Sequence, residues 1–125
     1  MANPGFIKTF TADTAIAAYR IVKHGTTGDT YASQATAVTE GLIGVNGALA
    51  AAIGARCDII LDHTAEVEYG GTVTRGDWLT TDANGKAVSS APAAGVNNNV
   101  IGRALASGVS GDIGLVLLAA GRIQG

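Results

Sequence analysis

The sequence predicts an all-β protein, a small β-barrel or β-sandwich of short antiparallel strands, and three observations carry that prediction. The first is the stretch 70–88, where Val73, Trp78, Leu79 and Val88 are apolar points in a Thr-rich run. Within it Asn84-Gly85 is the dipeptide that best tolerates the positive backbone angles of a two-residue hairpin turn. The second is a β-type run over residues 15–23, with Ile16, Tyr19, Ile21 and Val22, that ends at His24-Gly25 and returns through the turn 26–29 into residues 30–35. The third is an internal repeat of features at an offset of about 57 to 59 positions. Tyr19 falls on Trp78, the Gly28 turn on the Gly85 turn, residues 42–44 on 100–102, Gly54 on Gly111, and residues 56–61 on 113–118. Two similar β meanders, packed face to face or closed into one barrel, would shield strand edges that otherwise invite aggregation.

In chain order, residues 1–12 hold Pro4, Gly5 and then Phe6, Ile7 and Phe10, which include both phenylalanines of the protein. Two aromatics in a Pro/Gly-led terminal segment describe an extended N-terminal arm that needs a surface to pack on; an edge strand of the same domain is the other reading. Residues 13–125 then form a single β domain. After the first hairpin, residues 42–45 read as a short apolar strand closed by Asn46-Gly47, and residues 48–53 as one or two turns of helix capped by Asn46. Residues 56–61 form a strand with Cys57, Ile59 and Leu61 on one face, and residues 63–69 alternate polar and apolar into the second hairpin. There Gly76-Asp77 makes a tight turn that brings Trp78, the single tryptophan, into the core at the head of a strand and near Tyr19. A long Ala/Gly/Asn loop spans 89–99, residues 100–105 and 113–118 are the last strands, and residues 121–125 are a tail.

Composition narrows the function. The 125 residues contain 18 glycines and only 14% charged residues, against a usual charged share of about 25%. Val, Ile and Leu are plentiful enough for a core, so the low charge points to a protein that spends its surface on other subunits. The net charge of −2, with eight Lys and Arg scattered singly, argues against a nucleic-acid partner. The opening Met-Ala-Asn-Pro-Gly lacks a signal-peptide pattern, and no apolar run approaches the ~20 residues of a spanning helix. A protein made and used without crossing a membrane by those routes, and without a membrane partner, is expected.

No catalytic constellation emerges, so no enzyme, no cofactor and no metal site is expected. Cys57 is single and sits in an alternating strand, where a small buried side chain is the ordinary role; Asp62-His63 nearby supplies no orienting partner for a nucleophile. Arg75-Gly76-Asp77 spells an adhesion tripeptide but already has a turn role. Lys86 begins the returning strand rather than occupying the hairpin tip, which separates it from the modified lysine of lipoyl and biotinyl domains. Glu66 and Glu68 share one strand face, whose default is solvation.

Several segments together resemble a known family. Residues 18–23 (Ala-Tyr-Arg-Ile-Val-Lys), 35–45 (Ala-Thr-Ala-Val-Thr-Glu-Gly-Leu-Ile-Gly-Val), 71–88, 100–105 and Gly111-Asp112 before a final apolar strand are similar to the capsid decoration (cement) proteins of tailed bacteriophages and their prophages. The resemblance covers roughly residues 15–123, although residues 48–53 are richer in alanine than the family pattern and residues 1–12 match none of its motifs. It implies a non-enzymatic structural virion protein, made in the host bacterial cytoplasm, that binds the outer surface of the capsid. Its partners would be the major capsid protein and itself, as a homotrimer. Phe6, Ile7 and Phe10 are the expected contacts with capsid or a neighbouring protomer, and Tyr19, Gly76, Asp77, Trp78, Asn84 and Gly85 the expected core and turn positions. The alternative is a β module of a tail or other virion component that binds glycans, for which six aromatic residues are a poor endowment.

Overall fold

The computed structural model describes residues 5–125, and every helix or strand assigned among them is a β-strand, as expected of an all-β chain. The strands are β1 (Ile7–Ala12), β2 (Ile21–His24), β3 (Tyr31–Gln34), β4 (Leu42–Asn46), β5 (Arg56–Ile60), β6 (His63–Glu68), β7 (Trp78–Thr81), β8 (Ala87–Ser89), β9 (Asn97–Ala104) and β10 (Ile113–Gln124). The first five close into a barrel in the order β1-β3-β2-β4-β5, and the last five form a sheet in the order β6-β10-β9-β7-β8. Mapping β1 onto β6, β2 onto β7 and so on turns one order into the other. Even the parallel contact that closes the barrel, Ala12 against Ala32, has a counterpart in the parallel bridge between Tyr69 and Ala87. The chain is therefore two similar five-stranded units in tandem.

The repeat extends to single hydrogen bonds. Ile16 and Ala51 exchange N–H···O bonds of 2.8 Å, and Val73 and Gly108 exchange bonds of 2.9 Å. Each of these four residues precedes a turn whose pivot has positive φ: Tyr19 (60°), Gly54 (82°), Gly76 (95°) and Gly111 (92°). Glycine adopts that conformation without a Cβ penalty, whereas Tyr19 bears strain of order 1 kcal/mol. Tyr19 thus corresponds to Gly76, and Trp78 corresponds to Ile21. This corrects the expected pairing of Tyr19 with Trp78 by two positions, because the shared feature is the pivot and not the aromatic ring.

Two apolar clusters hold the units. Phe10, Ala12, Ile16, Val22, Ala32, Ala51, Cys57 and Ile59 fill the barrel. Val67, Tyr69, Val73, Leu79, Ile101 and Val116 pack in the second unit, where they join Ile21, Ala35, Leu42 and Val45 of the first. The side of the barrel bearing Ile21 and Val45 is therefore where the second unit sits.

Four local expectations are corrected. Residues 7–12 are not an arm: β1 pairs with β5 from Ile7↔Ile60 to Thr11↔Arg56 and is a strand of the barrel wall. Residues 1–4, the rest of that expected arm, lie outside the described residues. Residues 48–53 make bends and a turn around the Ala51 bridge, since six residues cannot offset helix nucleation and the Ala51 backbone is claimed by Ile16. The expected loop 89–99 ends earlier, because Asn97 to Val100 pair with Gln124 to Gly121; the expected tail is thereby the end of β10. Finally, the second hairpin closes through Asp82 N–H to Lys86 O at 2.9 Å, leaving the three-residue loop 83–85 with Gly85 at φ 75°, in place of a two-residue turn.

Candidate interaction surfaces

Strand register lines up one row across the outside of the second unit. Thr64 lies opposite Leu117, Leu117 opposite Arg103, and Arg103 opposite Trp78. Residues directly opposite share a face, and this face is open: Leu117 is 41% and Trp78 38% exposed. Trp78 is thus not the core residue expected. Leu79 takes the inward position of β7, fully buried, and alternation sends Trp78 outward. The Arg103 guanidinium stacks over the indole, 5.2 Å from the ring centre, and its Nε and Nη2 donate to the Gly76 carbonyl at 3.3 Å each. Arg75, Gly76, Arg103, Ala104, Leu105 and Leu117 line a shallow concavity beside the ring. An apolar floor edged by two arginines accepts an apolar segment that carries a carboxylate or carbonyl oxygen.

The turn leading to this face is built as the sequence suggests. Asp77 N–H donates to Thr74 O at 3.0 Å, and the Asp77 carboxylate accepts the Thr74 N–H at 3.0 Å. Val109 and Asp112 repeat the arrangement at Gly111. The Asp of the adhesion-like tripeptide is therefore engaged in its own turn.

A second apolar surface lies at the start of β1, where Phe6 is 59% and Ile7 45% exposed. Asp62 fixes it: its Oδ1 accepts the Phe6 N–H at 2.6 Å and lies 2.9 Å from His63 Nδ1. Those two contacts, the Phe6 N–H first, hold the Asp62 carboxyl below its ordinary range. Phe10, expected as the third contact here, is only 6% exposed and belongs to the barrel interior, so it is not available to a partner.

Asn84 and Gly85 do more than turn the chain. The Asn84 carbonyl accepts Arg20 Nη1 at 2.9 Å and Gln34 Nε2 at 3.0 Å, and the Gly85 carbonyl accepts the Ile21 N–H at 2.8 Å. Glu68 joins the same seam through Lys86 at 3.0 Å and Arg20 at 3.3 Å, and Lys86 lowers its pKa. The hairpin tip is thus the latch between the units, a role that a local turn signature cannot announce. Lys86 is engaged there as well.

The chemistry of the remaining candidates is modest. Cys57 is buried with its thiol toward the Phe10 carbonyl at 3.6 Å, and burial, then Asp58, pushes its pKa up, away from the thiolate. Among the described residues no group of three His, Cys, Asp or Glu side chains is placed to hold a metal ion.

No known protein family matches the chain, and no curated protein is similar to it. Among solved structures, the chain is similar to the head fiber gp8.5 N base of bacteriophage phi29, with a TM-score of 0.69 and 18% sequence identity over 96% of this chain and 98% of that one. At that identity the likeness is one of fold.

Proposed function

We propose that this chain is a non-enzymatic structural protein of a phage virion, which decorates the outside of the capsid as a homotrimer and stabilises it by bridging major capsid subunits. The observation that carries the reading is the fold shared, over nearly the whole length of both chains, with a head fiber base. The resemblance of residues 15–123 to capsid decoration proteins and the low content of charged residues support it. Several weak contacts per protomer, multiplied over many copies, would stabilise the closed shell by mass action against opening. A glycan-binding virion module is favoured by one observation, the exposed Trp78, but Arg103 already occupies a face of that ring where a sugar would stack. The test is to add the purified protein to undecorated, expanded heads and measure bound copies by co-sedimentation and negative-stain imaging. Saturable binding with a raised temperature of head disruption is expected. Heads that stay bare in excess protein sink the proposal.

A further inference from the structure

We propose that the exposed row Trp78, Arg103 and Leu117 is the seat for the first-unit hairpin tip, residues 25–31, of a second copy of this chain. The inference deepens the oligomer proposed above by naming the surface on which copies meet, and it follows from the tandem repeat.

One tip already sits on one seat within the chain. The second-unit tip, residues 82–86, lies on the start of β2, where Gly85 O accepts the Ile21 N–H and Asn84 O accepts Arg20 and Gln34. That contact is at the head of a row, Ile21, Val45 and Ile60, linked by direct register, whose other members the sheet of the second unit covers; Ile21 and Val45 are fully buried and Ile60 is half-buried. The same register in the second unit gives Trp78, Arg103 and Leu117. Among the described residues no tip lies on that row, and Trp78 and Leu117 are exposed.

The spare tip is equally evident. In the first unit, Gly25 N–H to Tyr31 O at 2.9 Å closes the hairpin where Asp82 N–H to Lys86 O closes the second. Residues 26–30 are exposed, and the Asp13 carboxylate holds their start through the N–H groups of Thr26 (2.7 Å) and Thr27 (3.1 Å). The tip is therefore pre-organised, which lowers the cost of docking it. Among the described residues, one tip and one seat of each chain engage each other, and one of each is left open.

Charge selects the pairing. Where the occupied seat has Val45, the open one has Arg103, with Arg75 beside it. The spare tip carries Asp29 and neither Lys nor Arg. Because the tip of one copy meets the seat of the next, the contact is heterologous, and its repetition closes a ring when the rotation between copies permits.

The experiment is sedimentation velocity on the full chain, without heads, from about 1 to about 100 μM. Concentration-dependent association of the wild type is expected. Asp29→Arg and Arg75→Glu should each weaken it by about tenfold or more, and the double variant should restore it. Trp78→Ser, checked for fold by circular dichroism, should weaken it as well. A wild type that stays monomeric throughout, single variants that associate normally, or a double variant that fails to recover would overturn the proposal. Because no capsid is present, these outcomes are independent of head binding.

Discussion

Trp78 and Ile21 occupy the same place in the two units, each the first residue of the strand that follows a positive-φ pivot, yet Ile21 is fully buried and Trp78 is 38% exposed. The difference comes from the neighbour. The second unit covers Ile21, while Trp78 faces outward with the Arg103 guanidinium over its ring.

That relationship predicts opposite responses to truncation. Ile21→Ala should cost about 2 to 4 kcal/mol, since it opens a cavity at the seam. Trp78→Ala should cost about 1 kcal/mol or less, the scale of a half-exposed ring and one cation–π contact. Urea denaturation gives both values. Native tryptophan emission should be red-shifted and quenched by acrylamide, and more readily so in Arg103→Ala; blue-shifted, protected emission would return Trp78 to the core.

Glycines 76 and 85 provide a second contrast. Both have positive φ, but a Cβ on Gly76 would meet open space, whereas one on Gly85 would stand 2.8 Å from Gln34 Cγ and 3.2 Å from Ile21 O. Gly76→Ala should therefore cost about 1 kcal/mol, for backbone strain alone. Gly85→Ala should cost about 2 to 4 kcal/mol, because it also lifts the latch between the units. Equal losses in thermal denaturation would mean that the tip does not bear on the first unit.

What the sequence made legible was whatever is local. Strand alternation and Gly-Asp turns survive because each is set by residues within a few positions of one another, and the doubled order survives because it is the order of such local features. Misreadings arose where a distant partner decides. Asn97 to Asn99 look like loop but are held in β9 by Gln124, Ile123 and Arg122. Ala48 to Ile53 look helical in isolation, yet Ala51 bonds to Ile16 across the unit. Phe6, Ile7 and Phe10 read alike as a terminal apolar cluster, but pairing with β5 turns Phe10 into the barrel and leaves the other two outside.

Glu40 sets an acid limit on the fold. Burial pushes its carboxyl up, but the Lys23 ammonium and the N–H groups of Thr36 (2.7 Å) and Ala37 (2.8 Å) outweigh that and hold it at about 2, against 4.5 for the free group. A depressed folded pKa contributes stability that is complete above the unfolded value and is lost as pH falls through 4.5 toward 2. Glu40→Gln should cost about 1 to 3 kcal/mol at neutral pH. The variant should also show a smaller loss of stability between pH 5 and 2 than the wild type, in denaturant titrations at each pH. Parallel profiles would remove Glu40 from the acid response.

The start of β1 separates folding from binding. Deleting residues 1–12 would remove a barrel strand that pairs with β5 along its length, so the truncated chain should lose the first unit. Phe10→Ala should likewise cost about 3 to 5 kcal/mol, because its ring fills the barrel interior. Phe6 and Ile7 are exposed, so the double change Phe6→Ser and Ile7→Thr should leave stability within about 1 kcal/mol of wild type. If these two side chains meet the capsid, each contributes roughly 1.5 to 3 kcal/mol of apolar burial per protomer, and only part of that is offset by ordering, because β1 is already held in the barrel. The double variant should then need at least tenfold more free protein to saturate undecorated heads. Saturation at the wild-type concentration by a folded double variant would place the capsid contact elsewhere.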